Sequence, residues 1–273
     1  MRSELEVEAA EPSFVGRWAF LIGLLAAGAL AVIRAGFPPA PPSVSEPDRG
    51  DRGLVLWAWE RPEDLSFADP ARVSIAFLAG TVRLRGDEVL VLPRRQPLRV
   101  APRATVIPVV RLETDRVSPP SLTASQAARA AEAIAGLMDR GADVVQVEFD
   151  ATASQRAFYR LLLVDLRKIL PRDRKISITA LASWCEGDRW LAGLPIDEAV
   201  PMLFRMGPEG PSVLRRVSSG RPFADPMCRG SVGVSTDEGV GWERRAATTY
   251  VFHPRAWTEE AVNGVLRRRR RIE

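Results

Sequence analysis

The chain has 273 residues, of which 46% are hydrophobic and 26% are charged, and its net charge is +4 at pH 7. This length allows one large domain or two small ones, and the composition is typical of a folded globular protein. Only Lys168 and Lys175 are lysines, so nearly all of the positive charge is arginine. Because no basic stripe interleaved with aromatic residues occurs, the sequence predicts no nucleic-acid partner.

An uncharged apolar segment, Trp18 to Ile33, follows a polar N-terminal stretch. A membrane span needs roughly 20 apolar residues, so this segment is short, but Arg17 and Arg34 could extend it by snorkelling. It is then an uncleaved anchor with its N-terminus in the cytoplasm. Alternatively it is a signal peptide, since residues 29–31 (Ala-Leu-Ala) offer a cleavage site. A buried core helix is a third interpretation, which the proline-rich stretch that follows disfavours.

Residues 37–53 (FPPAPPSVSEPDRGDRG) contain five prolines and no hydrophobic periodicity, which is typical of an extended linker. The sequence therefore predicts three regions. Residues 1–36 form a cytoplasmic tail with the anchor or signal segment, residues 37–53 form a linker, and residues 54–273 form the folded domain. Both leading interpretations of the apolar segment place this domain outside the cytoplasm, in the periplasm or outside the cell. It is tethered to the membrane, or secreted if the segment is cleaved.

Apolar segments of strand length recur along the predicted domain. They comprise residues 54–59, 72–78, 104–112, 144–149, 176–182, 199–204, 231–235 and 248–252. An arginine-rich stretch at 82–100 indicates an additional hairpin. Helical periodicity predicts helices at 121–140, 154–170, 211–217 and 258–270. Either Ser121 or Thr123 can cap the first helix. The second is predicted to bury Phe158, Leu161, Leu162, Leu166 and Ile169.

Eight strands with helices or short connections between them predict an α/β protein with a TIM-type (β/α)8 barrel. Some of its helices must be short or missing, because the domain is small for this fold. A doubly wound open sheet is the alternative. It has less support, since the sequence contains no glycine-rich phosphate-binding turn.

The segment from Asp143 to Asp150 (DVVQVEFD) is the strongest indication of function. As a strand it places Gln146, Glu148 and Asp150 on one face and three apolar side chains on the other. A half-buried surface strand would show the same alternation with its acids in water. Between two apolar helices, however, acids at the end of a strand indicate an active site at a barrel mouth. Asp150 and Glu148 are therefore the candidate catalytic residues.

Burial and mutual proximity should raise the pKa of one of these two carboxyl groups. A nearby arginine, with Arg111 and Arg205 as candidates, would oppose that shift. A raised pKa suits a general acid near neutral pH, whereas two ionised carboxylates suit a binding site or a structural ion pair.

The ends of the other predicted strands carry acids, aromatic residues and arginines. The candidate substrate-binding residues are Trp57, Trp59, Glu60, Gln146, Trp184, Arg205, Asp237, Glu238 and Tyr250. Carbohydrate sites combine these residue types, because sugar C–H faces stack on rings and sugar hydroxyls bind carboxylates. A glycosidase also needs two carboxyl groups, and Glu60, Asp237 or Glu238 could oppose the central pair. Each of these charges alone could instead be solvated at the rim or paired with an arginine.

Two further counts bear on the chemistry. His253 is the only histidine, which excludes a histidine-rich metal site and leaves one possible base for a serine triad, and no G-x-S-x-G motif occurs. We therefore predict no metal and no cofactor. Cys185 and Cys228 are the only cysteines; in an exported chain they predict a disulfide between the fifth and seventh strands, and two buried free thiols are the alternative.

The spacing Asp143-x-x-Gln146-x-Glu148-x-Asp150 resembles the D-x-x-D-x-D-x-E signature of chitinase-like glycosidases. In that family the last acid is the proton donor and the motif lies at the end of the fourth barrel strand, which implies that Asp150 is the donor. Three of the four signature residues differ here, because Gln146 replaces an acid, Glu148 replaces Asp and Asp150 replaces Glu. The departures favour a barrel that only binds a glycan, and the surviving acids favour an enzyme.

A longer resemblance covers nearly all of residues 54–273. It consists of VVQVEFDATASQ, LRKILP, SITALASWC, WLAGLPIDEAVPMLFRMG, CRGSVGVSTDE and VFHPRAW, in this order. These blocks resemble a bacterial family known as domain of unknown function 3142. The resemblance implies a barrel related to glycosidases and assigns no activity. Taken together, the sequence predicts a membrane-tethered barrel that acts on a glycan or an inactive barrel that binds a glycan or another cell-envelope polymer. A purely structural envelope protein is a third interpretation, which the many polar groups at the strand ends disfavour.

Overall fold

A computed structural model of the chain describes residues 53–138, 141–239, 241–242 and 246–271. The strands in them are β1 (Leu54–Ala58), β2 (Glu63–Leu65), β3 (Ser74–Arg85), β4 (Glu88–Pro93), β5 (Leu98–Val100), β6 (Val106–Thr114), β7 (Val144–Glu148), β8 (Lys175–Leu181), β9 (Glu198–Met202), β10 (Ser231–Ser235) and β11 (Thr248–Phe252). The helices are α1 (Ala124–Leu137), α2 (Arg156–Ile169), α3 (Gly210–Ser218) and α4 (Glu259–Arg270).

Eight parallel strands close into a barrel. In order these strands are β1, β3, β6, β7, β8, β9, β10 and β11, and β1 pairs in parallel with both β11 and β3. The sheet therefore has no open edge between its first and last parallel strands. The prediction of a closed parallel α/β barrel is confirmed, and the alternative of an open, doubly wound sheet is wrong.

Strand alternation divides the apolar side chains between two cores. Leu54, Leu56 and Ala58 of β1 point outward and join the large core between the barrel and its helices, here called the outer core. Val55 and Trp57 point inward and belong to a smaller core inside the barrel. Because both faces of these strands are covered, the strands read as nearly continuous apolar segments in the sequence.

Helices cover only part of the outside of the barrel. The connections after β1 and β3 contain short strands instead: β4 pairs antiparallel with β3, as the predicted hairpin requires, and β5 pairs with β2 in a separate sheet. The connection after β8 contains a 3-10 turn at Ala182–Cys185. Four α-helices lie within the described part of the chain.

The helices begin where capping chemistry places them. At the start of α1, the Thr123 hydroxyl accepts a hydrogen bond from the Gln126 amide at 3.2 Å, so Thr123 rather than Ser121 is the cap.

Helix α2 buries a stripe that includes Tyr159 and Leu163 as well as the predicted Phe158, Leu162 and Leu166. Burial of Leu161 and Ile169 was predicted wrongly, because both are exposed. Leu161 lies more than about 100° from the centre of the buried stripe, and Ile169 is the last residue of the helix.

Cys185 and Cys228 form a disulfide with their Cα atoms 5.9 Å apart, as predicted. It joins the turn after β8 to the segment before β10. The two cysteines are 43 residues apart in the chain. In the chain-entropy account a loop of this length stabilises the folded state by about 4 kcal/mol.

The predicted anchor or signal segment, residues 1–36, lies outside the described residues, as does nearly all of the predicted linker, 37–53. In the part of the chain that is described, none of the helices is both long and apolar enough to cross a bilayer.

Candidate active site at the barrel mouth

The carboxyl ends of the parallel strands surround a cavity of about 250 Å³, here called the inner cavity. Strand ends β1, β6, β7, β8, β9 and β11 all contribute to it. Its lining residues are Trp57, Trp59, Val109, Arg111, Glu148, Asp150, Thr179, Met202, Phe204, Arg205 and Phe252. The cavity therefore combines an acid pair with aromatic rings and two arginines.

The alternation of β7 brings both acids into this cavity. Val145, Val147 and Phe149 belong to the outer core, whereas Glu148 and Asp150 line the inner cavity. Alternate residues of a strand lie on the same face, so the two carboxyl groups stand side by side at the end of one strand. This agrees with the face that the sequence alternation predicts for them.

Glu148 is the more deeply placed of the two acids. Its side chain is 16% exposed, and burial raises the pKa of its carboxyl group to about 7. Arg111, whose Nε lies 3.8 Å from Glu148 Oε2, lowers this pKa, while Asp150 and Glu113 raise it further. Oε2 is buried and accepts no hydrogen bond. Glu148 is thus a buried acid that can carry a proton at neutral pH, and its Oε2 has a long ion pair with Arg111 but no hydrogen bond.

Asp150 lies closer to solvent and is exposed at the mouth. Partial burial nevertheless raises the pKa of its carboxyl group, and Arg111 opposes the shift. Arg111 does not neutralise the pair completely, because its Nε also lies 3.3 Å from Glu113 Oε1. The pKa values of both carboxyl groups are therefore raised in spite of the neighbouring arginine, as expected for a general acid.

Aromatic rings form one wall of the inner cavity. The rings of Phe204 and Phe252 are stacked with centroids 5.4 Å apart and an angle of 6° between their planes. Trp57 packs against Phe204 at 6.1 Å. On the other side, the Arg111 guanidinium lies 5.8 Å from the Trp59 ring centroid, within the range of a cation–π contact. These rings give the inner cavity an apolar surface in addition to its acids.

Thr179 was missed by the sequence analysis. Its side chain is 4% exposed, lines the inner cavity, and its Oγ1 is buried without a hydrogen-bond partner. Thr179 follows Ile178, the register partner of Val147, so it lies beside Glu148 on the next strand. A buried polar atom without a partner costs free energy, so Thr179 Oγ1 and Glu148 Oε2, two such atoms beside one cavity, require a polar partner that the protein does not supply, either water or a ligand. Ser and Thr alternate with apolar residues in β8, a signal that could have identified Thr179.

Beneath the cavity, buried polar side chains form a hydrogen-bonded chain. Trp57 Nε1 donates to Gln146 Oε1 at 2.8 Å, and Gln146 Nε2 donates to Ser177 Oγ at 3.2 Å. Gln146 is completely buried. It therefore holds Trp57 in place below the mouth and lies outside the set of cavity-lining residues, so it supports the site without facing a substrate.

Glu198, also missed by the sequence analysis, is the centre of this network. Its carboxylate accepts hydrogen bonds from Ser177 at 2.6 Å, from Tyr250 at 3.0 Å, and from Ser231. Burial and the Glu198 charge raise the pKa of Tyr250 well above its usual range. Tyr250 thus stays protonated and stabilises the barrel interior. The sequence analysis had instead predicted that Tyr250 contacts the substrate.

At the rim, Arg205 holds two of the predicted acids. Arg205 Nη2 lies 2.7 Å from Asp237 Oδ2, and its Nη1 lies 2.9 Å from Glu238 Oε1. Hydrogen bonds from Ser235 and Arg205 lower the pKa of Asp237. Arg205 has a φ of 52°, a left-handed conformation that non-glycine residues adopt rarely and at functional sites in particular. The Asp237 and Glu238 contacts fix it there.

Two predicted site residues lie elsewhere. Trp184 is buried in the outer core, edge-to-face with Trp190 at 4.9 Å, and does not line the inner cavity. Glu60 is exposed outside that cavity, where its charge acts on Arg94. Glu60, one of the predicted partners of the central acid pair, therefore does not line the cavity that contains this pair.

The described residues contain no group of three or more His, Cys, Asp and Glu side chains that could hold a metal ion. His253 instead makes a 2.6 Å hydrogen bond through Nδ1 with Thr236 Oγ1 and packs against the Trp257 ring at 4.9 Å.

No protein-family model matches the chain, and no curated protein matches it. The resemblances to domain of unknown function 3142 and to chitinase-like glycosidases stay predictions.

Two residues of β8 allow a test of the unpartnered hydroxyl. We expect Thr179→Val to leave the free energy of unfolding unchanged or to raise it, because the Thr179 hydroxyl has no partner to lose. Ser177→Ala should lower it by about 1–3 kcal/mol, because it leaves Gln146 and Glu198 short of a hydrogen bond. Urea denaturation of both variants measures the difference. A loss of 1 kcal/mol or more in Thr179→Val would show that its hydroxyl has a structural partner.

Proposed function

We propose that the chain is an exported, membrane-tethered barrel of the TIM type that hydrolyses a glycan, with Asp150 and Glu148 as its catalytic carboxyl groups. The observation that carries the proposal is a buried carboxyl group with a pKa of about 7 beside a second acid, in a cavity with an aromatic wall. Active sites of (β/α)8 barrels lie at this end of the strands. Eight parallel strands paired in chain order support the TIM type, although helices cover only part of the barrel.

Asp150 carries the proton transfer. It reaches the mouth, and partial burial raises the pKa of its carboxyl group, which favours the protonated form that a general acid needs. Asp150 gives its proton to the bridging oxygen as the bond from that oxygen to the anomeric carbon breaks. Water then adds its hydroxide to the anomeric carbon and returns its remaining proton to the Asp150 carboxylate. Glu148, beside it, can carry a proton at neutral pH and then donates a hydrogen bond to the sugar.

The substrate is a glycan or another cell-envelope polymer. Stacked rings at Phe204 and Phe252 suit the apolar face of a sugar. Thr179 Oγ1 and Glu148 Oε2 have unmet hydrogen-bonding capacity, which sugar hydroxyl or amide groups would satisfy. The aromatic wall and the free polar atoms thus lie in one cavity and recognise different faces of the same ligand.

A barrel that binds the glycan without cleaving it is the second candidate. Glycosidases use two carboxyl groups on opposite sides of the bond, whereas Glu148 and Asp150 stand side by side on β7. The acids across the mouth, Asp237 and Glu238, are paired with Arg205. This pairing favours binding alone unless a substrate displaces Arg205 from one of them.

Export is part of the proposal. Disulfides persist mainly in oxidising compartments outside the cytoplasm, and the Cys185–Cys228 bond supports such a location. The N-terminal segment would tether the barrel to the cell membrane. A reporter enzyme active only outside the cytoplasm, fused after Phe37, should work; activity of a cytoplasm-only reporter at that junction would contradict export.

A glycan array tests the proposal. The full-length chain in detergent should bind at least one immobilised glycan, and Phe204→Ala should lose that binding because it removes half of the stacked wall. Phe67→Ala is the matched control, since Phe67 is an exposed phenylalanine outside the inner cavity. New reducing ends released from the bound glycan distinguish the enzyme from the binding protein. A wild-type chain that binds none of the glycans would contradict both candidates.

A further inference from the structure

A second cavity of about 290 Å³, here called the outer cavity, adjoins the inner one. The two cavities share Asp150, Met202, Phe204 and Arg205. They therefore lie next to each other at the mouth, between the tryptophans at the end of β1 and the start of α3.

The residues that are not shared give the two cavities different characters. Glu148 and Thr179 line only the inner cavity. Leu181, Ser183 and Val213 line only the outer one. The buried acid and the unpartnered hydroxyl thus belong to the inner cavity, while the outer cavity is walled by the turn after β8 and by α3.

The cavity volumes bear on the length of the ligand. Pockets for drug-sized molecules have volumes of roughly 300–1,000 Å³, and the two cavities, at about 250 and 290 Å³, are each comparable with the lower end of this range. A single sugar ring matches one cavity, and a glycan segment matches both.

Ion pairs and a disulfide hold the boundary between the cavities. Arg205 is held there in a left-handed backbone conformation by its contacts with Asp237 and Glu238. On the outer side, the Cys185–Cys228 disulfide anchors the turn that carries Ser183. A preformed boundary with Asp150 on it fixes which part of a bound chain faces that carboxyl group.

We propose that the inner and outer cavities are adjacent subsites for one glycan chain of at least two sugar residues, with the linkage between the residues lying beside Asp150 and Arg205. This inference rests on the proposed function and deepens it, because it makes the substrate an oligosaccharide or a polymer. A cavity for one sugar, closed at Asp150, would instead take a monosaccharide or a chain end.

Binding of saccharides of increasing length tests the two subsites. The probes are N-acetylchito-oligosaccharides, cello-oligosaccharides and peptidoglycan glycan strands, titrated by calorimetry into the full-length chain. For whichever series binds, the tetrasaccharide should bind at least about tenfold more tightly than the monosaccharide, a difference of about 1.4 kcal/mol. Ser183→Trp, which fills the outer cavity, should reduce the tetrasaccharide affinity to that of the monosaccharide.

Ser219→Trp is the control, because Ser219 is an exposed serine at the end of α3 that lines neither cavity. Leu181→Trp fills the outer cavity from a second position if Ser183→Trp does not fold. Equal affinities for monosaccharide and tetrasaccharide, or a tetrasaccharide affinity that both folded tryptophan variants leave unchanged, would overturn the two-subsite arrangement and leave glycan binding in place. Failure of every saccharide to bind the wild-type chain would overturn the proposed function and the subsites together.

Discussion

Replacing Asp150 with asparagine should abolish glycan hydrolysis while leaving the fold intact. Asparagine preserves the shape of the side chain and removes its exchangeable acid proton, and a general acid contributes about 10²–10⁴ to the rate. Asp150 is exposed at the mouth, so the substitution should have little effect on the free energy of unfolding. Release of reducing ends from the glycan that the array identifies measures the rate.

Asp143→Asn is the matched control for this variant. Asp143 precedes the same strand at its other end, is 91% exposed and pairs with Arg174. Asp143→Asn should keep the wild-type rate. An Asp150→Asn variant that hydrolyses the glycan at the full rate would show that Asp150 is not the proton donor. If the wild-type chain binds the glycan without cleaving it, the second candidate function holds instead.

Replacing Glu148 with glutamine should stabilise the folded protein above neutral pH. The folded-state pKa of Glu148 is raised from 4.5 to about 7, so between these values the folded state binds more protons than the unfolded state. The contribution of this group is therefore fully present below about pH 4.5 and is lost as the pH rises through 7. At 1.36 kcal/mol per pKa unit the loss is about 3 kcal/mol.

Urea denaturation at pH 4 and pH 8 measures this effect. The two proteins should have similar free energies of unfolding at pH 4, and Glu148→Gln should exceed the wild type by up to about 3 kcal/mol at pH 8. Glu132→Gln, at an exposed position of α1, should match the wild type at both values. A Glu148→Gln variant that is less stable than the wild type at pH 8 would show that ionised Glu148 makes favourable contacts in the folded state.

The strand that carries both acids could be predicted because its information is local. Alternation in DVVQVEFD is sufficient to place Glu148 and Asp150 on one face and Phe149 on the other. Strand-length apolar segments at regular spacing likewise predicted the closed barrel. These signals depend on residues that are close together in the chain, so no knowledge of long-range contacts was needed.

Other parts of the site depend on register between distant strands. Glu198 accepts hydrogen bonds from Ser177 and Tyr250, which lie 21 and 52 residues away in the chain, and nothing local distinguishes it from a solvated acid. Trp184 follows a strand end, yet the 3-10 turn at Ala182–Cys185 directs it into the outer core. Strand ends identify the mouth, but the turn that follows each strand decides which side chains face it.

The central claim is that the inner cavity binds a glycan beside Glu148 and Asp150. The most direct measurement is a crystal structure of the Asp150→Asn variant with an oligosaccharide selected by the array. We expect a sugar ring against Phe204 and Phe252, with one of its polar groups within hydrogen-bond distance of Thr179 Oγ1 or Glu148 Oε2. An oligosaccharide bound elsewhere on the protein, with the inner cavity free of sugar, would contradict the claim.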